Sequence, residues 1–353
     1  MNFQITKSDL EKIYHLFEVK ETNIALANML LYYFQIKSPM KEAKDHNDYL
    51  NKLIDACEID RNNQDDIKII NQQIKPAIRS FDEKIITDDV YVSTLKFPTI
   101  NIHDREFNKE SYAPYQGFSY DEISVADDDF REMQKVGYFT SKITYPVLSY
   151  KNELWMSVTP NEIMTFEEPL KKAKGNIITF GLGMGYFVYL TSLKKEVTSV
   201  TVVEKDPFII QLFNQYLLPQ FKEKQKIIII EQDACEFLKE KHQFDYAYVD
   251  LWHNPNDGLP FYLLFKKAEI NFPHCRFDYW LETSILALYR RCLLTVALEQ
   301  LNNLPESEYQ KAKNETDKII NDIYLKTKNI TIRSYEQFHR LCTDEGLKKL
   351  IVQ

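Results

Sequence analysis

The sequence predicts an α/β fold with a doubly wound, mostly parallel sheet, preceded by a helical region with a small β portion. Two observations predict this fold. After residue 175, short apolar runs alternate with helical segments, as in a parallel sheet covered on both faces. Four of the eight glycines lie between Gly175 and Gly185, directly after the first apolar run. Because glycine adopts positive φ and lets a ligand approach the backbone closely, a nucleotide-like ligand is the first hypothesis for that turn.

The predicted elements of the α/β region follow one another in a regular order. Strands are predicted at 176–180, 197–204, 226–231 and 244–251, and 276–282 is a candidate fifth strand. Helices are predicted at 184–194, 207–218, 233–240, 258–268 and 283–302. Beyond them, helices at 306–325 and 334–350 flank a candidate strand at 329–333.

The N-terminal region is predicted to be mostly helical. Apolar residues recur every three or four positions from Leu10 to Phe17, which is the helical period. Further helices are predicted at 21–36, 40–57 and 64–78. The pattern over 90–97 is instead typical of a β-strand.

A hairpin and a helix precede the glycine cluster. Strands are predicted at 143–150 and 154–158, because a short polar turn separates two apolar arms. The next helix is predicted to begin with Thr159 as N-cap, a proline at the first position and Glu162 at the third, and to run through Leu170. We divide the chain into a helical region with a small β portion (1–140), a ligand-binding α/β domain (141–305) and a helical extension (306–353).

The composition is that of a globular protein of the cytoplasm. Hydrophobic residues make up 44% of the chain and charged residues 27%, and the net charge of −8 argues against a large nucleic-acid footprint. The five cysteines are scattered without a CxxC pair, so we expect reduced thiols and neither a disulfide framework nor a metal site. Arg290 and Arg291 interrupt the most apolar long stretch, so no membrane span is expected. The oligomeric state stays open.

Acidic residues follow the predicted strands after the glycine cluster. Glu204 ends the second strand, about twenty residues past the central glycines, where an acid can accept hydrogen bonds from ribose hydroxyls. Asp233 and Ala234 follow the third strand, and Asp250 follows the fourth. Asp233 is also a candidate helix N-cap, and one residue can do both. Because ligands of open α/β sheets bind beyond the carboxyl ends of the strands, we expect these side chains to share one site.

The glycine spacing argues against two kinds of nucleotide site, a dinucleotide site and a P-loop. The cluster has the pattern G-x-G-x-G at Gly181, Gly183 and Gly185, whereas a dinucleotide fold has G-x-G-x-x-G. The third small residue of that pattern would fall on Tyr186, which is bulky. No Gly-Lys-Ser/Thr sequence exists, so a phosphate-binding P-loop is excluded.

These segments together resemble the ordered motifs of class I S-adenosylmethionine-dependent methyltransferases. The resemblance covers roughly residues 150–285. The motifs that carry it run from the glycine loop to the acid at the end of the fourth strand. It implies a Rossmann-like fold in which Gly181, Gly183 and Gly185 face the methionine part of S-adenosylmethionine. It further implies that Glu204 holds the ribose hydroxyls, that Asp233 and Ala234 contact the adenine edge, and that Asp250 lies where the methyl group is transferred. The acid that this family often has two residues before the first glycine is Thr179 here.

The layout is also similar to the spermidine synthase branch of that fold. A β-hairpin and a helix precede the glycine loop there, as 143–170 is predicted to do here. That branch carries Asp-x-x-Asp-Pro after the fourth strand, where this chain has Asp250-Leu-Trp-His253-Asn-Pro255. Aminopropyl transfer is therefore the alternative to methyl transfer. A third hypothesis is a cofactor-binding protein without catalysis, in which the N-terminal helices bind a protein partner.

The segment from Asp250 to Gly258 is the candidate for chemistry on a small-molecule acceptor. Asp250 and His253 are the predicted catalytic residues, because a histidine that titrates near neutral pH can accept a proton from a hydroxyl or amine nucleophile. Trp252 and Asp250 are the predicted acceptor-binding residues, with Trp252 stacking on a ring or excluding water. The alternative for His253 is a loop histidine that orders its own turn.

Overall fold

The structure is a computed structural model that describes residues 1–36, 43–102 and 104–353. The chain begins with a short strand and a mostly helical region. In order, the elements are β1 (Asn2–Phe3), α1 (Lys7–Ile36), α2 (His46–Ala56), α3 (Gln64–Ile69), β2 (Ile78–Phe81), α4 (Lys84–Thr87) and α5 (Val90–Thr94). A π-helical turn and a 3-10 turn continue α3 through Ala77. The predicted helices of this region are present, although the first three residues of the segment 40–57 lie outside the described residues.

The prediction of a strand over 90–97 is wrong. Val90–Thr94 is helix α5, and its N-cap Asp89 accepts a hydrogen bond from the backbone amide of Val92 at 2.9 Å. Tyr91 is fully buried and packs edge-on against Tyr186 of the α/β region. The β-branched residues suggested a strand, but the cap and this tertiary contact select a short helix.

Antiparallel and mixed strands connect the helical region to the α/β region. They are β3 (Ile100–Ile102), β4 (Arg105–Tyr112), β5 (Phe118–Ser119), β6 (Ser124–Val125), β7 (Glu132–Met133), β8 (Val136–Phe139), β9 (Ile143–Tyr150) and β10 (Glu153–Ser157). Strands β10, β9, β4 and β3 form one sheet in that order. The predicted hairpin is confirmed as β9 and β10, and Lys151 and Asn152 turn between them with positive φ, as two-residue hairpin turns require.

Helices alternate with strands from residue 160 onward. The elements are α6 (Pro160–Lys172), β11 (Gly175–Phe180), α7 (Tyr186–Ser192), β12 (Val197–Glu204), α8 (Pro207–Leu212), β13 (Ile227–Glu231), α9 (Ala234–Phe237), β14 (Tyr246–Val249), α10 (Pro255–Ala268), β15 (Arg276–Tyr279) and α11 (Glu282–Leu301). Each predicted strand of this region is confirmed, the candidate fifth strand included. The apolar residues of the three inner strands are mostly buried because helices and loops pack over them, whereas the edge strand β13 is only partly covered.

The central sheet has five strands in the order β13-β12-β11-β14-β15, and every neighbouring pair is parallel. Phe180 at the end of β11 is in register with Val203 on one side and Val249 on the other. The carboxyl ends of the three central strands therefore meet at one edge. Strands β12 and β13 lie on one side of β11, and β14 and β15 lie on the other side. The strand order therefore reverses at β11, and ligands of open α/β sheets bind in the crevice at such a point.

The C-terminal segment packs back onto the rest of the chain. It contains α12 (Glu306–Tyr309), α13 (Glu315–Thr327), β16 (Thr331–Ile332), α14 (Tyr335–Cys342) and α15 (Asp344–Val352). Two helices stand in place of each single helix predicted at 306–325 and 334–350. Thr343 ends α14 and caps α15, its hydroxyl accepting the amide of Gly346 at 3.2 Å. The candidate strand at 329–333 is confirmed as β16, which pairs in parallel with β1.

One cluster of buried residues contains side chains from all three predicted regions of the chain, such as Phe107, Val202 and Phe338. The division into three parts stays a prediction. Among the described residues, the helices lack the combination of length and apolar character that crossing a bilayer requires.

Candidate functional site

A cavity of about 550 Å³ opens at the carboxyl ends of the central strands. Its size is within the usual range of small-molecule sites. The residues that line it include all but one of those predicted for the site: Gly181, Gly183, Glu204, Asp233, Ala234, Asp250, Trp252 and His253. The exception is Gly185, which is not among the described residues that line the cavity. The strand ends that the sequence predicted to meet do meet here.

The three glycines of the loop between β11 and α7 all have positive φ. A side chain would meet different surroundings at each of them. A Cβ at Gly181 would lie 2.0 Å from the backbone oxygen of Asp250, so glycine lets β11 and β14 end close together. A Cβ at Gly185 would lie 2.4 Å from the ring of Phe213, so close packing requires glycine here, and the predicted cofactor contact of Gly185 stays a prediction. A Cβ at Gly183 would meet no described atom within 4 Å. Gly183 is therefore the open position where a ligand can approach the backbone.

Glu204, at the end of β12, is held by backbone amides. One carboxylate oxygen accepts the amide of Leu182 in the glycine loop at 3.1 Å, and the other accepts the amide of Asp206 at 2.8 Å. A carboxylate has about four acceptor positions, so capacity remains for hydroxyl donors in the cavity. Asp206 caps α8 through the amide of Phe208 at 2.8 Å, as predicted.

Asp233 and Ala234 form the wall beyond β13. The Asp233 carboxylate caps α9 by accepting the amide of Cys235 at 2.7 Å. Both residues also line the cavity. Asp233 therefore combines the two alternatives that the sequence left open, a helix cap and a residue at the ligand site.

Trp252 is anchored in the protein. Its indole nitrogen donates to the backbone oxygen of Trp280 at 3.1 Å, and its ring lies so close to Gly258 that a Cβ there would approach it to 2.7 Å. The side chain is nearly buried. A fixed ring that lines the cavity can exclude water or stack on a ligand ring, so both predicted functions of Trp252 stay predictions.

His253 lies at the mouth of the cavity, with a side chain that is 60% exposed. Its Nδ1 is 3.2 Å from a carboxylate oxygen of Asp257, which also accepts the His253 backbone amide at 3.1 Å. Asp257 is at the same time part of the capping box at Asn254 that starts α10. The geometry therefore matches the alternative in which His253 orders its own turn. A carboxylate on Nδ1 also orients an imidazole, so the general-base function stays a prediction.

Asp250 and Glu162 are two further carboxylates that line the cavity. Burial raises the pKa of Asp250 to about 7. Burial raises the pKa of Glu162 to about 8, and the charge of Asp250 adds to that increase. The side chains of both residues lack hydrogen-bond partners among the described residues. Taking a carboxylate out of water without a compensating partner is the physical cause of both shifts.

The sequence assigned Glu162 only to a capping box, and that assignment is wrong. Thr159 is the N-cap of α6, but within the described part of the chain its hydroxyl caps no amide. Glu162 points into the cavity instead. The signal for this residue was its place, one turn into the helix that directly precedes the glycine strand.

Tyr248, on β14 two residues before Asp250, was also missed. Its ring stacks on that of Phe187 at 4.5 Å between centroids. Its hydroxyl is buried and has no hydrogen-bond partner in the described residues. Burial raises its pKa well above the usual value, and the charges of Asp250 and Glu162 raise it further. Tyr248 lines the cavity together with both of these residues.

The hairpin closes the remaining side of the cavity with residues 154–158. Arg105 of β4 fastens it, because its guanidinium lies over the rings of Trp155 and Phe208 and donates to Asp206 at 2.7 Å. Thr179 also lines the cavity. Its hydroxyl lies 3.5 Å from the backbone oxygen of Gly181.

No protein-family model and no curated protein matches this chain. Many solved structures match part of this chain, and three of them are described next. A spermidine synthase from Thermotoga maritima is 16% identical, with 42% of this chain and 58% of that chain covered and a TM-score of 0.30. A spermidine synthase in complex with the transition state analogue AdoDATO is 17% identical, with 42% and 60% covered and a TM-score of 0.31. A precorrin 8W decarboxylase from Methanobacterium thermoautotrophicum is 18% identical, with 31% and 56% covered and a TM-score of 0.25. The chain thus spans less than two thirds of each of these proteins.

Proposed function

We propose that this protein is an S-adenosylmethionine-dependent methyltransferase that acts on a small acceptor. The observation that carries the proposal is Glu204, whose carboxylate is oriented by the amides of Leu182 and Asp206 beside the open position at Gly183. An acid at this strand end, after a glycine loop, is suited to accept hydrogen bonds from the two hydroxyls of a ribose. The strand order reverses at β11, in keeping with a doubly wound sheet.

The cavity offers a complementary surface to each part of that ligand. Gly183 leaves room for the methionine part near the backbone, and Glu204 would hold the ribose. Asp233 and Ala234 would bound the adenine, and Asp250 lies where an acceptor would meet the methyl group. Tyr186 fills the position at which a dinucleotide fold needs a small residue, and its hydroxyl is engaged by Asp89 at 2.8 Å. The loop therefore suits a single nucleoside better than a dinucleotide.

When bound, S-adenosylmethionine supplies a methyl group activated by a sulfonium sulfur. The contribution of the chain is to orient an acceptor in line with that group, to exclude water and to accept a proton where the acceptor carries one. The fixed ring of Trp252 and the hairpin fastened by Arg105 exclude water. The carboxylates of Asp250 and Glu162 are the groups that can accept a proton at the acceptor end.

The proposal is tested by calorimetric titration with S-adenosylmethionine and with S-adenosylhomocysteine. Glu204→Gln retains the shape of the side chain and removes its charge, and we expect it to weaken binding at least about tenfold, as for the loss of a charged hydrogen-bonding partner. Glu231→Gln is the matched control, because Glu231 ends the neighbouring strand in register with Glu204 and is exposed. Binding too weak to measure in the unmodified protein, or equal losses in the two variants, would refute the proposal.

Incubation with S-adenosylmethionine and, separately, with its decarboxylated form distinguishes methyl transfer from its alternatives. Mass spectrometry of acceptor amines and hydroxyl compounds detects a gain of one methyl group if the proposal is right. A gain of an aminopropyl group from the decarboxylated cofactor and putrescine would instead establish aminopropyl transfer. Cofactor binding without turnover of any acceptor would support the non-catalytic alternative.

A further inference from the structure

One arginine joins the hairpin to the cofactor side of the cavity. Arg105 is the first residue of β4, which pairs with the hairpin strand β9. Its guanidinium donates to the carboxylate of Asp206 at 2.7 Å, and Asp206 caps α8 just beyond the end of β12. The side chains of Arg105 and Asp206 are only 16% and 23% exposed. A mostly buried ion pair thus connects the antiparallel sheet to the central sheet.

The same guanidinium lies among three aromatic rings. Its central carbon is 4.7 Å from the ring centroid of Tyr150, 5.3 Å from that of Trp155 and 4.5 Å from that of Phe208. Tyr150 and Trp155 belong to the two strands of the hairpin, whereas Phe208 belongs to α8. A planar cation is attracted to the faces of such rings. The hairpin is therefore attached to α8 through Arg105.

Asp206 connects Arg105 to Glu204. The backbone amide of Asp206 donates to a Glu204 carboxylate oxygen at 2.8 Å. The Asp206 side chain accepts from Arg105 and, at 2.8 Å, from the amide of Phe208. Glu204, Asp206 and Trp155 all line the cavity. A displacement of Arg105 would therefore change both a wall residue of the hairpin and the donor that orients the Glu204 carboxylate.

We propose that Arg105 is a positioning residue that couples the hairpin wall to Glu204, so that cofactor binding and the closed position of the hairpin stabilise each other. This inference rests on the proposed function, because the cofactor is the ligand that Glu204 would hold. Arg105 is not among the described residues that line the cavity, so it acts through Asp206 and Trp155. Because coupling between two binding events is reciprocal, a loosened hairpin also weakens the ligand.

The geometry at this position favours arginine over lysine. A guanidinium is flat, so it can lie against rings while the N–H groups at its edge donate to a carboxylate. A lysine ammonium is a compact point charge, which can pair with Asp206 but does not lie flat between the hairpin and α8. Arg105→Lys therefore retains the charge and loses the planar contacts.

Tryptophan fluorescence reports the state of the hairpin. The chain has three tryptophans, and all of them line the cavity: Trp155, Trp252 and Trp280. Trp252 and Trp280 are nearly buried, whereas Trp155 is half-buried. Quenching by acrylamide in the solvent therefore depends mainly on Trp155. The same measurement on Trp155→Phe gives the contribution of the other two.

The test combines calorimetric titration of the full chain with S-adenosylhomocysteine and acrylamide quenching with and without that ligand. In the unmodified protein, we expect the ligand to protect Trp155 from quenching. Arg105→Gln is expected to weaken ligand binding at least about fivefold, the lower end of usual coupling between sites, and to abolish this protection. Arg105→Lys should lie between the two proteins in both measurements. A loss of affinity with full protection of Trp155 would overturn the coupling.

Arg79→Gln is the matched control. Arg79 is exposed, its guanidinium lies 4.9 Å from the ring centroid of Phe81, and it is not among the described residues that line the cavity. We expect this variant to retain the ligand affinity and the protection of Trp155. If it loses both as Arg105→Gln does, the effect is not specific to Arg105 and the proposal is overturned.

Asp206→Asn separates the coupling from a general loss of stability. Asparagine is as good a helix N-cap as aspartate, so α8 keeps its cap while the charge that pairs with Arg105 is lost. If the coupling runs through Asp206, Arg105→Gln causes no further loss of affinity in the Asp206→Asn background. Losses that multiply in the double variant would overturn the connection. Should Arg105→Gln fail to fold, Arg105→Lys replaces it in the same comparison.

The two proposals fail in different ways. Unchanged affinity and unchanged protection of Trp155 in Arg105→Gln overturn the coupling and leave the proposed function intact. If S-adenosylhomocysteine does not bind the unmodified protein, the proposed function fails. Quenching of the ligand-free proteins then decides whether Arg105 and Asp206 hold the hairpin, and equal quenching in the unmodified protein and both variants overturns that connection.

Discussion

Glu204 and Glu162 are two glutamates that line one cavity, and their surroundings differ. Glu204 follows a strand of the central sheet, and two backbone amides fix its carboxylate. Glu162 is in the first turn of a helix, and burial next to Asp250 raises its pKa to about 8. A carboxylate that is held by amides is suited to orient a ligand, whereas one that lacks partners and holds a proton is suited to exchange it. The cavity thus divides into a binding end and a reacting end.

The largest effect is expected from Gly181→Ala, which tests how firmly the binding end is built. The new Cβ would lie 2.0 Å from the backbone oxygen of Asp250, and φ at this position is +96°. Because backbone atoms cannot yield as side chains do, we expect a loss of about 3 kcal/mol or more, which for a chain of this length is a fall in the thermal midpoint of roughly 4 °C or more.

Gly183→Ala is the matched comparison, since its Cβ would meet no described atom within 4 Å. We expect a stability cost of only about 1 kcal/mol, from the left-handed backbone alone. Affinity for S-adenosylhomocysteine should nevertheless fall, because the methyl group projects where the ligand approaches. Equal stability losses in the two variants would contradict the close approach of β11 and β14.

The next prediction concerns how the free energy of unfolding depends on pH. It tests the carboxyl groups of Asp250 and Glu162 at the reacting end. A carboxyl group with a raised pKa in the folded protein holds its proton there, while the unfolded chain releases it near pH 4 to 4.5. The unfolded state is therefore favoured as pH rises from that range through about 7 for Asp250 and about 8 for Glu162. The ligand-free protein should lose stability across this window.

Glu162→Gln removes one of these two groups. We expect the variant to be more stable than the unmodified protein at pH 8.5, by about 1–2 kcal/mol, and similar to it at pH 5. Thermal denaturation at the two pH values is the measurement, with Glu168→Gln as the control. A stabilisation that is the same at both pH values would argue against a raised pKa.

The smallest effect concerns how the N-terminal region supports the glycine loop. The Tyr91 hydroxyl donates to the backbone oxygen of Met184, which lies within the loop. Tyr91→Phe leaves that oxygen without this partner, so we expect a destabilisation of about 1 kcal/mol and a loss of cofactor affinity of a few-fold. Tyr14→Phe is the control, because Tyr14 is largely exposed. If the two variants have equal stability and equal cofactor affinity, Tyr91 does not stabilise the glycine loop.

The sequence by itself determined the order of elements in the α/β region and the place of the cavity. Apolar runs with the length of buried strands marked β11 to β15, and the carboxyl ends of neighbouring parallel strands must meet at one edge. Glu204, Asp233 and Asp250 could be predicted as neighbours for that reason. The hairpin before them was predictable as well, because its two-residue turn and apolar arms are local features.

Only the tertiary structure decided which side chains are available for chemistry. Glu162 carries a local capping pattern, yet the packing of α6 turns its carboxylate into the cavity. Trp252 and His253 lie in the predicted segment, and the tertiary structure pairs the indole nitrogen of Trp252 with Trp280 and Nδ1 of His253 with Asp257. Val90–Thr94 forms a helix through its cap and the packing of Tyr91. Spacing along a chain predicts which elements form, whereas burial and partners, which set the pKa of Glu162 and Asp250, depend on residues distant in sequence.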